Sequence, residues 1–139
     1  MNRILLEVIG ISYSNSQNGA YTLLVGEHGA KKFLPIVIGE AEAQSIVVIL
    51  ENIDHPRPMT YDLMRDITEH YSIKVKEIVI SKFKNGLFYS ELHGEHDGKV
   101  TIFDARPSDA IALALLHKCP IYTYSNVIDE AGINANDIH

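Results

Sequence analysis

Hydrophobic and polar positions along the chain fall into two similar series. The first runs through "RILLEVIGIS", a strand, "SNSQNG", a loop, and "AYTLLV", a second strand. A "GEHG" turn and a third strand, "KKFLPIVI", lead into "GEAEAQSIVVILEN". The second series runs through "SIKVKEIVISKF", the turn "KNG", "LFYSEL", the turn "HGEHDG" and "KVTIFDA", leading into "RPSDAIALALL". Asn85-Gly86 and Asp97-Gly98 predict tight hairpins, because both central positions of such turns need positive φ. A single offset of 67 residues aligns the series, pairing Gly19 with Gly86, Glu42 with Asp109 and Ala43 with Ala110. The alignment settles one ambiguity. "SIVVIL" alone suggests a strand, since β-branched residues favour sheets, but its counterpart "AIALALL" is helix-forming. Both segments are therefore read as helices, apolar nearly all round and deeply buried.

Between the series, "HPRPMTYDLMRDITEHY" predicts another helix. Pro58 stops anything earlier from running into it, Thr60 caps it, and Leu63, Met64, Ile67 and Tyr71 share one face. After the second series come a short strand, "PIYTY", and a short helix, "SNVIDEAG", which begins at Ser125 or Asn126 and ends at Gly132. The strand "IKVKEIVISKF" changes phase: Ile73, Val75, Val79 and Phe83 share one face, Ile78 and Ile80 the other with Lys74 and Lys76. A sheet edge or a bulge near Glu77 accounts for that. The expectation is one α+β domain over residues 1–139. It contains two β-β-β-α repeats (halves about 3–52 and 72–117). They form a mixed or antiparallel sheet packed by helices, with an extra helix between them.

Composition narrows the function. A chain of 139 residues can bury a real core. No apolar run approaches the roughly 20 residues of a bilayer span, so no membrane partner is expected. "MNRILLEVIG" lacks the long apolar region of a signal peptide and reads as a first strand. A lone Cys119, before Pro120 and read as a small buried residue, fits a reducing cytoplasm. The net charge of −6 argues against holding nucleic acid by bulk positive charge. A nucleic-acid function would need a local basic pocket or a bridging cation.

Candidate chemistry sits at the helix mouths. Pro107 suits the first helical position, making Arg106 the N-cap and Asp109 the third helical residue. The same count puts Gly39 at the first helix's cap and Glu42 third. Acids there can cap backbone N–H groups and face the positive end of the helix, as Asp62 can in the middle helix. Capping does not call for the arginines of Arg57-Pro58 and Arg106-Pro107. Such an arginine needs a carboxylate partner or an anion to clamp. Two readings follow: Arg–Asp pairs that fix the halves together, or an anion site built from Arg57, Arg106, Thr60 and Ser108. His93 and His96 of "HGEHD" have metal-like spacing with Glu95 and Asp97, but a hairpin turn there is polar for its own reasons.

"LPIVIGEAEAQSI", "RPMTYDL", "DARPSDAIALAL" and "PIYTYSNVIDEAG" resemble the bifunctional nuclease family, the DNase-RNase domain, over about Ile4 to Gly132. The resemblance implies a small α+β domain, a cytoplasmic bacterial setting, and nuclease activity on DNA and RNA in some members. Tyr61 stands where the family usually carries His, and "LHKCP" replaces a segment expected to hold an Arg. A phenol with an ordinary pKa of about 10 is a poor general base near neutral pH. On a catalytic reading, Arg57 and Arg106 hold the scissile phosphate of DNA or RNA. Glu42, Asp104 and Asp109 hold a divalent cation, Mg²⁺ or Mn²⁺, or activate water, and Thr60, Asp62 and Ser108 contact substrate. On the rival reading, the chain is a non-catalytic homo-oligomeric module that binds an anion, a nucleotide or a protein. The catalytic reading requires guanidinium and acid side chains from distant parts of the chain to converge on a water-accessible hollow, and it fails if Arg57 and Asp109 lie on opposite sides of the molecule or are sealed together.

Overall fold

In the computed structural model, which describes residues 2–14 and 19–137, the chain starts with three strands and a helix. These are β1 (Arg3–Ser14), β2 (Ala20–Gly26), β3 (Lys32–Ile38) and α1 (Glu40–Leu50). Then come α2 (Thr60–His70) and a second set: β4 (Lys74–Lys84), β5 (Leu87–His96), β6 (Lys99–Ala105) and α3 (Pro107–His117). β7 (Ile121–Tyr124), α4 (Ser125–Ala131), β8 (Ile133–Asn134) and a 3₁₀ turn complete the order. Most of the expected loop at 14–19 lies outside the described residues.

The strands make one sheet in the order β6-β5-β4-β7-β1-β2-β3-β8. β4 and β7 pair in parallel; the other neighbours are antiparallel. The α+β expectation and its β-β-β-α arrangement hold, and the offset of 67 residues recurs in the backbone. β3 and β6 match end to end at that offset, as do α1 and α3. So do the turn glycines Gly19 and Gly86, both at φ 78°. The β1 bulge between Val8 and Gly10 also matches the β4 bulge between Val75 and Glu77.

The bulges explain the phase change in β4. One residue added between Val75 and Glu77 brings Ile78 and Ile80 onto the face that carries Leu92 of β5, and both are fully buried. The partial sheet edge is present too: β5 pairs along the whole of β4, but β7 covers only residues 78–80 on its other side. The hairpin turns adopt the backbone their sequences dictate, with Asn85-Gly86 and Asp97-Gly98 all at positive φ.

The core gathers Leu23, Leu34, Ile78 and Ile80 from the strands against Ile46 of α1 and Ile111 of α3. α3 is sunk as expected, with Ser108 and Ala110 to Ala114 all buried. α1 is not: only Ala43 and Ile46 are buried, and Val47 and Leu50 are about 40% exposed. α2 departs furthest. None of its residues is buried, and the predicted apolar stripe of Leu63, Met64, Ile67 and Tyr71 is exposed. Its half-buried positions are Tyr61, Asp62, Arg65 and Thr68. The helix packs by its more polar side, with Tyr61 bonded to Asp109.

Candidate functional site

The mouths of α1 and α3 lie side by side, so the equivalent acids of the two halves meet. Arg106 is the N-cap of α3, as its place before Pro107 requires. Its side chain does not cap; it folds back on the third helical residue. Nε donates to Asp109 Oδ2 at 3.0 Å and Nη2 to Asp109 Oδ1 at 3.3 Å. Nη1 lies 3.6 Å from Glu42 Oε1. One guanidinium thus joins an acid from each half, and its charged form is reinforced first by the hydrogen bonds to Asp109. The two acids serve Arg106 where simple capping of the backbone was one expectation. Arg106 stays 68% exposed, so part of its fork faces solvent. Gly39 is the equivalent cap of α1, and the Glu42 carboxylate lies close against its Cα.

Tyr61 completes the cluster. Its O–H donates to Asp109 Oδ1 at 2.6 Å. Burial first, then that hydrogen bond, push the phenol above its ordinary pKa. Tyr61 is therefore a neutral donor that orients Asp109. Sequence reasoning noted the residue only as a departure from a family pattern. Its place in the first turn of α2, three residues after an Arg-Pro pair, was the available signal.

These groups rim a cleft of about 860 Å³ between α2, α3 and the sheet, with Leu92, Phe103 and Val75 on its walls. Thr60 and Asp104 line it too. Deep in the cleft, His117 Nε2 is buried with no hydrogen-bond partner among the described residues. Burial lowers its pKa and keeps the ring neutral. Ser108 is buried in α3 and lines the neighbouring hollow beside β3.

Arg57 stands apart. It lines a second groove of about 670 Å³ with His55, Asp62, Arg65 and Lys118, not the cleft that holds Asp109. Among the described residues it has no ion pair. The two grooves adjoin at Tyr61 and Ser45, which line both. The expected single hollow is therefore two hollows, because the start of α2 passes between them. The expected cap is also displaced: Met59 is the N-cap, Thr60 is the first helical residue, and Asp62 Oδ2 accepts Met59 N–H at 2.8 Å. The same oxygen lies 2.7 Å from His55 Nε2, whose other nitrogen faces the Ile53 carbonyl at 3.0 Å. Both ring nitrogens meet acceptors, so the ring is held as imidazolium, and its pKa is raised first by the Asp62 bond.

Glu42 and Asp109 turn their oxygens on Arg106. Among the described residues, no three His, Cys, Asp or Glu side chains group closely enough to hold a metal ion. These residues make a guanidinium–carboxylate cluster, not a cation cage. His93 lies within β5, not in the turn expected for it, between Glu91 at 3.1 Å and Glu77 at 3.5 Å.

A mixed sheet of two β-β-β-α units, with paired helix mouths presenting an exposed arginine at a cleft, defines the α+β domain. Residues 23–136 match the bifunctional nuclease domain, and the chain belongs to that family. It is 37% identical to the uncharacterized protein Rv1829 of Mycobacterium tuberculosis over 128 residues, 92% of this chain and 76% of that one. It is 29% identical to bifunctional nuclease 1 of Oryza sativa subsp. japonica over 111 residues, 77% of this chain and 33% of the rice protein. Bifunctional nuclease 2 of Arabidopsis thaliana is 28% identical over 99 residues, 68% of this chain and 30% of its own. The chain thus spans about a third of the plant nucleases. No helix among the described residues is long and apolar enough to cross a membrane.

Proposed function

We propose that the chain is a nuclease that hydrolyses phosphodiester bonds in DNA and RNA at the Glu42–Tyr61–Arg106–Asp109 cluster. The observation that carries this is the meeting of both halves at one exposed guanidinium on the rim of a cleft, in a chain of a nuclease domain family. Arg106 binds the scissile phosphate and stabilises the charge that grows on its oxygens. Asp109, fixed by Tyr61, orients the guanidinium. Glu42, a longer and weaker partner at 3.6 Å, is freed when phosphate takes its place and accepts a proton from the attacking water as its oxygen bonds to phosphorus; the bond to the leaving sugar oxygen breaks, and that oxygen takes a proton from solvent. Arg57, in the adjoining groove, holds a neighbouring phosphate, so the strand passes Tyr61. Thr60 and Asp104 contact it within the cleft.

One feature favours the rival, a non-catalytic anion- or nucleotide-binding module: both acids are already satisfied by Arg106. The test is cleavage of single-stranded DNA and RNA by purified protein, with Mg²⁺, with Mn²⁺ and with chelator, beside Arg106→Ala and Asp109→Asn. Cleavage falling at least a hundredfold in both folded variants is expected. Equal cleavage by wild type and variants marks a contaminant and defeats the proposal. An inert wild type whose melting temperature rises with nucleotide establishes the rival.

A further inference from the structure

The apolar stripe of α2 points away from its own molecule, and the strand beside it leaves a sheet edge open. β6 is seven residues long, ends the sheet, and pairs with β5 without a bulge. It contains no proline, and all its residues but Ala105 are exposed. Edge strands are ordinarily blunted by charge, proline, bulges or brevity. The opposite edge, β8, follows that rule with two residues. β6 carries charge only towards its ends, at Lys99 and Asp104, and between them exposes Val100 and Ile102 on one face and Phe103 on the other, each about half. Phe103 and Met64 of α2 line the same cleft, so on the helix-bearing face the strand edge adjoins the helix stripe, while Val100 and Ile102 lie on the opposite face.

We infer that this surface binds a second copy of the chain, with β6 pairing antiparallel to its twin across a two-fold axis perpendicular to the sheet. The occupant must bring both an unpaired strand edge and an apolar helix face to the same place, and a copy carries both by construction. The register is self-complementary. Such an axis keeps each face of the sheet continuous, so opposed residues share a face. Centred on Thr101, it sets Val100 against Ile102 twice and Lys99 against Phe103 twice, giving apolar and cation–π cross-strand pairs. Centred one residue later, it would set Val100 against Asp104. The two α2 stripes then lie on the sheet face that carries Phe103, each ring set against Lys99 of the other copy. The seven large side chains involved expose roughly 600 Å² per copy, taking about 170 Å² for each in full. With the strand backbones, that nears the roughly 800 Å² per partner of a standard interface.

Light scattering tests it. The wild type at about 50 μM is expected at twice the 15.5 kDa chain mass, and Ile102→Lys at the single mass with unchanged circular dichroism. Thr101→Cys in a Cys119→Ala background is expected to cross-link to a disulfide dimer under mild oxidation. Opposed antiparallel residues lie about 4.5–5.5 Å apart at Cα, within disulfide reach. A monomeric wild type overturns the inference. So does an oligomer that survives Ile102→Lys, or one in which the thiol introduced by Thr101→Cys stays free.

Discussion

Asp62 does two things at once: it accepts the Met59 N–H at the start of α2 and holds the His55 ring. The first lowers its pKa from the usual 3.8, with the backbone N–H as the largest cause. Its contribution to stability is present above that ordinary value and is lost as pH falls through the lower folded one. His55 runs the other way. Its pKa is raised from 6.5, so its contribution is complete below 6.5 and is lost as pH rises through the folded value. The pair therefore works hardest between about pH 4 and 6.5. Thermal melts of wild type and His55→Ala are expected to differ most near pH 5 and to converge as the pH rises through the raised folded value. A gap that widens with pH would show that the ring is held neutral.

The helices separate into those that carry the core and one that does not. Ile111 of α3 has no exposed surface and packs with Ile46 and Ile80, so Ile111→Ala is expected to cost about 2–5 kcal/mol in urea unfolding. Ile67 of α2 is 49% exposed, and Ile67→Ala at low micromolar concentration is expected to change stability by less than about 0.5 kcal/mol. A loss above 2 kcal/mol at Ile67 would mean the stripe is packed within one chain. Periodicity made α2 legible and helix propensity α3, while the 67-residue offset rescued α1, whose β-branched run imitates a strand. Periodicity reveals that a helix has two faces but not which one turns inward. In α2 the face that turns inward is the one carrying the Tyr61–Asp109 hydrogen bond, a long-range contact that periodicity does not contain. Arg57-Pro58 and Arg106-Pro107 read alike in sequence for a related reason. They part only because α2 enters between the two hollows, a matter of packing that no local pattern encodes.

At the scale of the molecule, β7 sits between β1 and β4 and joins the sheets of the two halves, which brings Glu42 and Asp109 to one place. Their meeting was legible as a sequence offset; its chemistry was not, because the distances to Arg106 depend on that junction. The overall charge of −6 then limits how nucleic acid can be held. A protein making 6–10 phosphate contacts loses about 10³- to 10⁵-fold in affinity between 50 and 200 mM salt. This chain offers the strand two arginines, Arg106 and Arg57. With two contacts and a slope of about −0.7 for each on single strands, the same change of salt costs roughly sevenfold. Anisotropy of a labelled single-stranded oligonucleotide is expected to show that shallow dependence, and Arg57→Ala is expected to halve the slope without abolishing binding. A slope several times steeper would mean that the strand follows a basic track elsewhere on the surface, and Arg106 would lose its claim to the phosphate.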